Sequence, residues 1–354
     1  MKHIFEQMQA EDYEQIIFCQ ERSFGLKAII VIHDTTLGPA MGGMRMWPYE
    51  SDETALNDAL RLARGMTYKN AAAGIPYGGG KGVILADPHR TKDEGMLRAL
   101  GRFIHRLNGL FLTGVDVGTT IADMDIIRTE TPYIVTFSEA SGGPGDTSSV
   151  TALGVLQGIH ACLEEVYGTT ELAGRTIAIQ GVGGVGATLV DYLVQAGARV
   201  TVADVDQSKA QALSSRYQAV EVVAPEEIHR LAVDVYSPCA LGAGLNDQTI
   251  PALNCKIVCG GANNQLAEEH QSDLLAERGI LYAPDFIVNA GGIIVGAQSL
   301  TPGGYQREQA LKQIERISQT VRQVFAIANE LHISTHKAAN ALAEQRLNII
   351  RQPQ

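Results

Sequence analysis

The chain has 354 residues, 45% hydrophobic and 19% charged, which is enough for two domains with sizeable cores and excludes a disordered or fibrous protein. A formal charge of −11 with no run of Lys and Arg argues against a nucleic-acid partner. The N-terminus has no basic segment leading into an apolar one, and nothing approaches the roughly 18 consecutive apolar residues of a membrane span, so the expectation is a cytoplasmic protein with no membrane partner.

In chain order, Ala28 to Ile32 is an apolar run of strand type. Asp52 to Tyr68 carries Ala55, Leu56, Ala59, Leu60, Ala63 and Met66 at helical spacing, with Ser51 as N-cap. Thr91 and Glu94 form a capping-box pattern opening a helix that Asn108-Gly109 ends. Leu110 to Val115 reads as a strand with Asp116 at its end. From about residue 150 the rhythm becomes regular: a helix (Thr151 to Tyr167), strand Thr176 to Gln180, a helix from Val185, strand Arg199 to Ala203, a helix near Ser208 to Tyr217, then strands Ala219 to Val223, Val233 to Ser237 and Lys256 to Cys259. Such alternation predicts an α/β fold with a Rossmann-like, doubly wound parallel sheet following a mixed α/β region. Arg307 to Ile350 is helical by period.

Five cysteines are scattered, and only Cys255 and Cys259 are close, without a matching Cys or His pair; buried thiols and no metal site are expected. Glycine is the excess, with 37 residues clustered at Gly42-Gly43, Gly78 to Gly80, Gly181 to Gly186, Gly260-Gly261 and Gly291-Gly292. Such clusters suit backbone brought close to ligands.

Gly181-Val182-Gly183-Gly184-Val185-Gly186 satisfies G-x-G-x-x-G between a strand and a helix. Its glycines permit a tight turn, and the helix N-terminus offers N–H groups to a pyrophosphate. Asp204 ends the next strand, 18 residues after Gly186. A carboxylate there accepts hydrogen bonds from ribose hydroxyls and repels a 2′-phosphate, which favours NAD over NADP.

Between Asp58 and Asp87 there is no carboxylate, whereas Arg61, Arg64, Lys69 and Lys81 are present. This basic island in an acidic chain suits an anionic substrate. Lys81 follows Gly78-Gly79-Gly80 and is expected in a glycine-rich loop, where exclusion of water and the Lys69 charge favour the neutral amine that a general base needs. The plain alternative is a pair of solvated surface lysines. Asp116, Thr151 and Asn263 likewise have plain readings as caps or turn formers.

Gly42-Gly43 before Arg45, Met66 to Asn70, Gly78 to Lys81, Asp116 to Thr119, Gly181 to Gly186, Ala262 to Leu266 and Asn289 to Gly292 together resemble the Glu/Leu/Phe/Val dehydrogenases, most closely the leucine-specific members. The resemblance implies oxidative deamination: an L-amino acid, water and NAD+ give a 2-oxo acid, ammonia and NADH. It implies that Lys69 holds the substrate carboxylate along with the backbone of Gly42 and Gly43, that Lys81 is the base activating water, and that Asp116 exchanges protons with the amine nitrogen. Asn263 would touch substrate and nicotinamide, Thr151 the nicotinamide amide, and Ala240, Asn289 and the Gly181–Gly186 turn with Val185 the rest of the cofactor. Residues 1–140 with 331–354 would form the substrate-binding and oligomerisation domain and 141–330 the NAD-binding domain, with the active site in the cleft between them. Family members are homo-oligomers, dimers or octamers.

By the same resemblance Met41, Met66, Gly114, Ile293 and Gly296 line the side-chain pocket. Glutamate-specific members carry a lysine at the Met41 position, so an apolar side chain of Leu, Val or Ile type is expected. Leucine-specific members have alanine at Gly114 and valine at Gly296, so the two glycines suggest room for Phe or Trp. Two other readings stay open: a 2-hydroxy-acid dehydrogenase, although no histidine lies in a motif of that kind, and a non-catalytic NAD-binding regulator, which would be expected to lack Lys81 or Asp116.

Overall fold

The computed structural model describes residues 4–240 and 242–351, and the chain divides into two units. The first runs to Asp146 and takes in Ile293–Arg307 and the residues from Ala343; the second comprises Thr147–Gly292 and Glu308–Leu342. The boundaries thus fall at 146 and 343 rather than 140 and 331, and Ile293–Arg307 joins the first unit instead of the second.

In the first unit α1 (Ile4–Ala10), β1 (Gln15–Glu21), β2 (Leu26–Asp34), β3 (Ala40–Trp47), α2 (Asp52–Ala73), β4 (Gly78–Leu85), α3 (Glu94–Arg106), β5 (Phe111–Val115) and α4 (Ile121–Arg128) follow one another. The sheet order is β1-β2-β4-β3-β5. β2 is antiparallel to both β1 and β4, while β3 runs parallel to β4 and β5. One face packs Ile29, Val31 and Val83 on the α2 residues Ala55, Leu56, Ala59, Leu60 and Ala63. The other packs Ala40, Met44, Met46 and Phe111 on Met96, Leu97, Leu100 and Ile104 of α3 and Met124 and Ile127 of α4.

Ser51 caps α2 as expected, in a reciprocal capping box with Thr54, and Gly74 closes it at φ 67°. Arg346 Nη1 donates to Ala71 O and Ala72 O in its last turn. At α3 the expected Thr91 cap is replaced by Asp93, whose carboxylate accepts from Met96 N; the helix begins at Glu94, so Asp93 and not Thr91 stands where a side chain reaches the third helical N–H.

The glycine run Gly78-Gly79-Gly80 is not a loop. It opens strand β4, because its missing side chains let α2 and the neighbouring strands close on the backbone. A Cβ on Gly79 would lie 2.0 Å from Thr67 Oγ1 and 2.2 Å from Thr67 N of α2. A Cβ on Gly80 would lie 2.9 Å from Val31 O, and one on Gly82 2.3 Å from Met44 Cε.

The second unit contains α5 (Ser148–Tyr167), β6 (Thr176–Gln180), α6 (Gly184–Gln195), β7 (Arg199–Ala203), α7 (Gln207–Arg216), β8 (Val220–Val222), β9 (Val233–Pro238), β10 (Cys255–Val258), α8 (Gln271–Glu277), β11 (Leu281–Tyr282) and α9 (Asp285–Val288). Its six strands lie in the order β11-β10-β9-β6-β7-β8, all pairs parallel. Strand order reverses beside β6, the arrangement of a doubly wound dinucleotide fold, in which ligands gather at the carboxyl ends of the strands flanking the reversal. After α10 (Gly291–Gln298), the stretch read as helical from Arg307 to Ile350 is three helices, α11 (Arg307–Glu315), α12 (Ile317–Leu331) and α13 (Thr335–Arg351), with His332 at φ 54° closing α12. No helix among the described residues is long and apolar enough to cross a membrane.

Gly79→Ala should therefore lose at least about 2 kcal/mol in urea unfolding, since backbone rather than a pliant side chain blocks the new methyl group. Gly65→Ala, on the exposed face of α2 with nothing within 4 Å, should be neutral or stabilising by up to about 1 kcal/mol. Equal effects would refute the packing role assigned to Gly79.

Candidate active site

Strand alternation decides which side chains meet in the first unit. On β4, Gly79 and Val83 face α2, whereas Gly80 and Gly82 face Ala40, Met44 and Phe111. Lys81, between Gly79 and Val83 in the alternation, therefore points to the α2 side. There its Nζ lies 2.6 Å from Oδ2 of Asp116, with both side chains almost wholly buried. Asp116 comes from the end of β5, and Thr119 fixes its backbone: Asp116 N donates to Thr119 Oγ1 at 2.9 Å, and that hydroxyl lies 2.8 Å from Met44 O.

Arg45 of β3 reaches the same Asp116 oxygen through Nε at 3.2 Å. Its Nη1 donates to Asp58 Oδ2 of α2 at 2.9 Å, an oxygen that also accepts from Tyr49 at 2.7 Å. Burial alone would push the Asp116 carboxyl up, but Lys81 and Arg45 outweigh it and hold the group at about 2. The basic island read from the sequence is thus compensated by acids, of which Glu11 and Asp116 are distant in sequence and Asp58 lies one helical turn before Arg61. Arg61 pairs with Asp58 at 2.8 Å, Arg64 lies 3.9 Å from Glu11, and Lys81 has Asp116.

Gly42 and Gly43 admit this packing. A Cβ on Gly43 would stand 2.8 Å from Asp116 Cβ, and one on Gly42 would stand 1.9 Å from Gly80 O and 3.0 Å from Met66 Cγ. Met66 and Lys69, three residues apart on α2, are both half-buried and share a helix face. The next residue, Asn70, is fully buried and ties α2 to the sheet, donating to Met41 O at 3.1 Å and Gly78 O at 2.6 Å.

Met41 is fully buried. Ile293 and Gly296 lie three residues apart on α10. Val135 and Thr136 crowd the side-chain position of Gly114, and Val135 also borders that of Gly296, the two glycines from which extra room is expected. A Cβ on Gly114 would lie 2.3 Å from Thr136 Oγ1, and Cβ atoms on Gly114 and Gly296 would each lie 3.2 Å from the same Val135 Cγ2. Thr136 is held there by Val115 N, which donates to its hydroxyl at 2.8 Å. Nothing in the sequence marked either residue; only the backbone pairing of Val135 with Thr113 puts them beside β5. Arg45, Asp58 and Thr119 were also missed, although Arg45 falls on the Gly43 face once β3 is recognised as a strand.

In the second unit Gly181 turns at φ 91° and its side-chain position is closed by Ala240, whose N lies 2.7 Å from where a Cβ would stand. Gly186 packs on Gly181 O at 2.0 Å by the same measure. Gly183 precedes α6 with no side-chain cap, and nothing lies within 4 Å of its side-chain position. With Gly184 and Val185 in the first turn, N–H groups and free space coincide, as a pyrophosphate requires. Asp204 is anchored by Val182 N on Oδ2 at 2.7 Å and by Asp206 N on Oδ1 at 2.9 Å, leaving further lone pairs for ribose hydroxyls. Buried Asn289 donates to Gly261 O, Ala262 O and, at 2.8 Å, to Oδ1 of exposed Asn263. Thr151 lies in the first turn of α5 rather than at its cap, and its Oγ1 is 3.3 Å from the Gly292 side-chain position.

Residues 14–133 match the Glu/Leu/Phe/Val dehydrogenase dimerisation domain, and residues 201–352 match the Glutamate/Leucine/Phenylalanine/Valine dehydrogenase domain. The chain belongs to the Glu/Leu/Phe/Val dehydrogenase family. It is 51% identical over 344 residues to leucine dehydrogenase of Bacillus cereus, covering 97% of this chain and 93% of that protein. It is 46% identical over 337 residues to valine dehydrogenase of Streptomyces albus, covering 95% and 92%. Among solved structures, L-tryptophan dehydrogenase from Nostoc punctiforme superimposes with a TM-score of 0.86 at 44% identity, covering 99% of this chain and all of that one.

Because Asp116 is held low, its contribution to stability is present above the unfolded carboxylate range near 3.8 and is lost as pH falls toward about 2. Asp116→Asn should cost about 2 kcal/mol in urea unfolding at pH 7, and the gap to the wild type should narrow between about pH 4 and pH 2. A gap that does not change with pH would contradict the ion-pair account.

Proposed function

We propose that this member of the amino acid dehydrogenases deaminates an apolar L-amino acid of the Leu, Val or Ile type with NAD+, giving the 2-oxo acid, ammonia and NADH reversibly. The observation that carries the reading is the buried Lys81–Asp116 pair beside the glycine-lined ends of β3 and β4, with Lys69 on the adjoining helix.

NAD+ supplies a hydride acceptor for the substrate Cα–H. The chain's own residues do the rest. Lys69 and the backbone of Gly42 and Gly43 take the α-carboxylate. Asp116 accepts the proton that leaves the amine nitrogen as the C=N bond forms. Lys81 removes a proton from water as the oxygen attacks the imine carbon and Asp116 returns its proton to the nitrogen; Lys81 then protonates that nitrogen, and as the C–N bond breaks and C=O forms the hydroxyl proton passes back to the pair and ammonia leaves. Met41, Met66, Gly114, Ile293 and Gly296 would bound the side chain, with no cation among them to meet a second carboxylate. Gly181, Gly183, Gly184, Val185, Gly186, Thr151, Ala240, Asn263 and Asn289 would hold the dinucleotide, with Asp204 on the adenosine ribose. The reading extends to a cytoplasmic homo-oligomer, dimer or octamer; the dimerisation-domain match over residues 14–133 supports the oligomer.

A second reading, an aromatic substrate such as Phe or Trp, is favoured by the glycines at 114 and 296 and by the likeness to the L-tryptophan enzyme. Val135 and Thr136 weigh against it, since they crowd the side-chain position of Gly114 and Val135 also borders that of Gly296.

Initial rates of NADH formation across Leu, Val, Ile, Phe, Trp and Glu separate these readings. The aliphatic amino acids should give the highest kcat/KM and glutamate the lowest; glutamate as best substrate would refute the pocket assignment. NAD+ should be strongly preferred to NADP+, and Asp204→Asn should narrow that preference. Equal use of both cofactors by the wild type would overturn the role given to Asp204.

A further inference from the structure

Lys81 and Arg45 both lie on one oxygen of Asp116, but only Lys81 is positioned by the family reading to exchange a proton. Arg45 cannot give up its proton in any working range, so it presents a fixed positive charge to a buried carboxylate. Its guanidinium spans two acids: Nε faces Asp116 Oδ2 at 3.2 Å, and Nη1 faces Asp58 Oδ2 at 2.9 Å. Asp58 is itself held by Tyr49 at 2.7 Å and Arg61 at 2.8 Å, so Arg45 is pinned at its far end by an acid that two further side chains hold in place.

We propose that Arg45 is a positioning residue that sets, with Asp58 opposing it, the pH at which the Lys81–Asp116 pair gives up its proton. This rests on the reading of that pair as the proton-handling centre. The sign follows from the charges. With Arg45 against Asp116, one negative charge is shared by two cations, so the carboxylate's attraction is divided between them. A fixed positive charge favours loss of the pair's mobile proton, and the negative charge of Asp58 partly cancels that push. The charged and titratable groups facing the pair come from three directions: Arg45 from β3, Asp58 and Arg61 from α2, and Tyr49 from the segment between them. The depressed ionisation of Asp116 agrees with this field.

The test is the pH dependence of kcat for L-leucine with saturating NAD+, in the full-length protein. Arg45→Gln removes the cation and should move the acidic limb upward by roughly one pH unit, with turnover recovering on the alkaline side. Asp58→Asn keeps an acceptor for Arg45 but removes the opposing charge, and it should move the limb downward by a smaller amount. Arg45→Lys, unable to bridge both acids, should fall between the wild type and Arg45→Gln. Limbs that do not move, or that move in the same direction for Arg45→Gln and Asp58→Asn, would overturn the proposal; a uniform loss at every pH would show a purely structural role and overturn it too. If Arg45→Gln does not fold, the downward shift in Asp58→Asn decides alone. Lys81→Ala distinguishes the two levels. Full activity in that variant refutes the underlying reading, whereas an inactive Lys81→Ala with unshifted Arg45 and Asp58 profiles refutes only this inference.

Discussion

The contact on which the first unit depends is the 2.6 Å ion pair between Lys81 and Asp116. Removing two charges from water costs several kcal/mol per ion, and their attraction offsets this only where geometry is good and the remaining hydrogen-bonding capacity is met. Here the carboxylate has Arg45 as a second cation, and its backbone is tied by Thr119. A buried pair of this kind is weak evidence for stability as such. It is better explained by chemistry that needs an amine and a carboxylate kept close and nearly dry.

Much of the surrounding backbone follows from that requirement. For a lysine in mid-strand to meet an aspartate at the end of β5, the intervening β3 must carry almost no side chain where they approach, and Gly43 sits against Asp116 for that reason. The helix bearing Met66 and Lys69 must come down onto β4, which Gly79 permits by leaving room for the backbone of Thr67. Asn70 then fixes the helix by donating to carbonyls of both strands. The glycine clusters therefore serve two purposes. In the second unit Gly183 leaves an uncapped helix start open while Gly181 and Gly186 let protein pack on protein, and in the first unit the clusters serve packing.

This difference decided what the sequence could reveal. Strands β6 and β7 lie at the residues read from composition alone, since each is an apolar run stopped by glycine or aspartate. The start of α2 was equally legible from Ser51 and the spacing of its apolar residues. β4 was not, because three glycines carry no alternation of apolar and polar side chains, and a strand of backbone looks like a loop. The acids that compensate Arg45 and Lys81 were hidden for a related reason: Asp116 lies 35 positions from Lys81 and is brought to it only by sheet pairing. Val135 and Thr136 gave no signal at all, yet they crowd the space beside Gly114, and Val135 borders that beside Gly296, where a count of missing methyl groups would see only empty room. A glycine marks a lost side chain; the neighbours decide whether a cavity is left.

The central claim is that the Lys81 amine performs the proton transfer that the chemistry needs, rather than merely anchoring Asp116. The most direct measurement is single-turnover and steady-state turnover of Lys81→Ala with NAD+ and L-leucine, alongside NADH binding followed by fluorescence. The account predicts a fall in kcat of about 10²- to 10⁴-fold, the range for loss of a general base, with dinucleotide binding retained. Turnover close to that of the wild type, with binding intact, would contradict it.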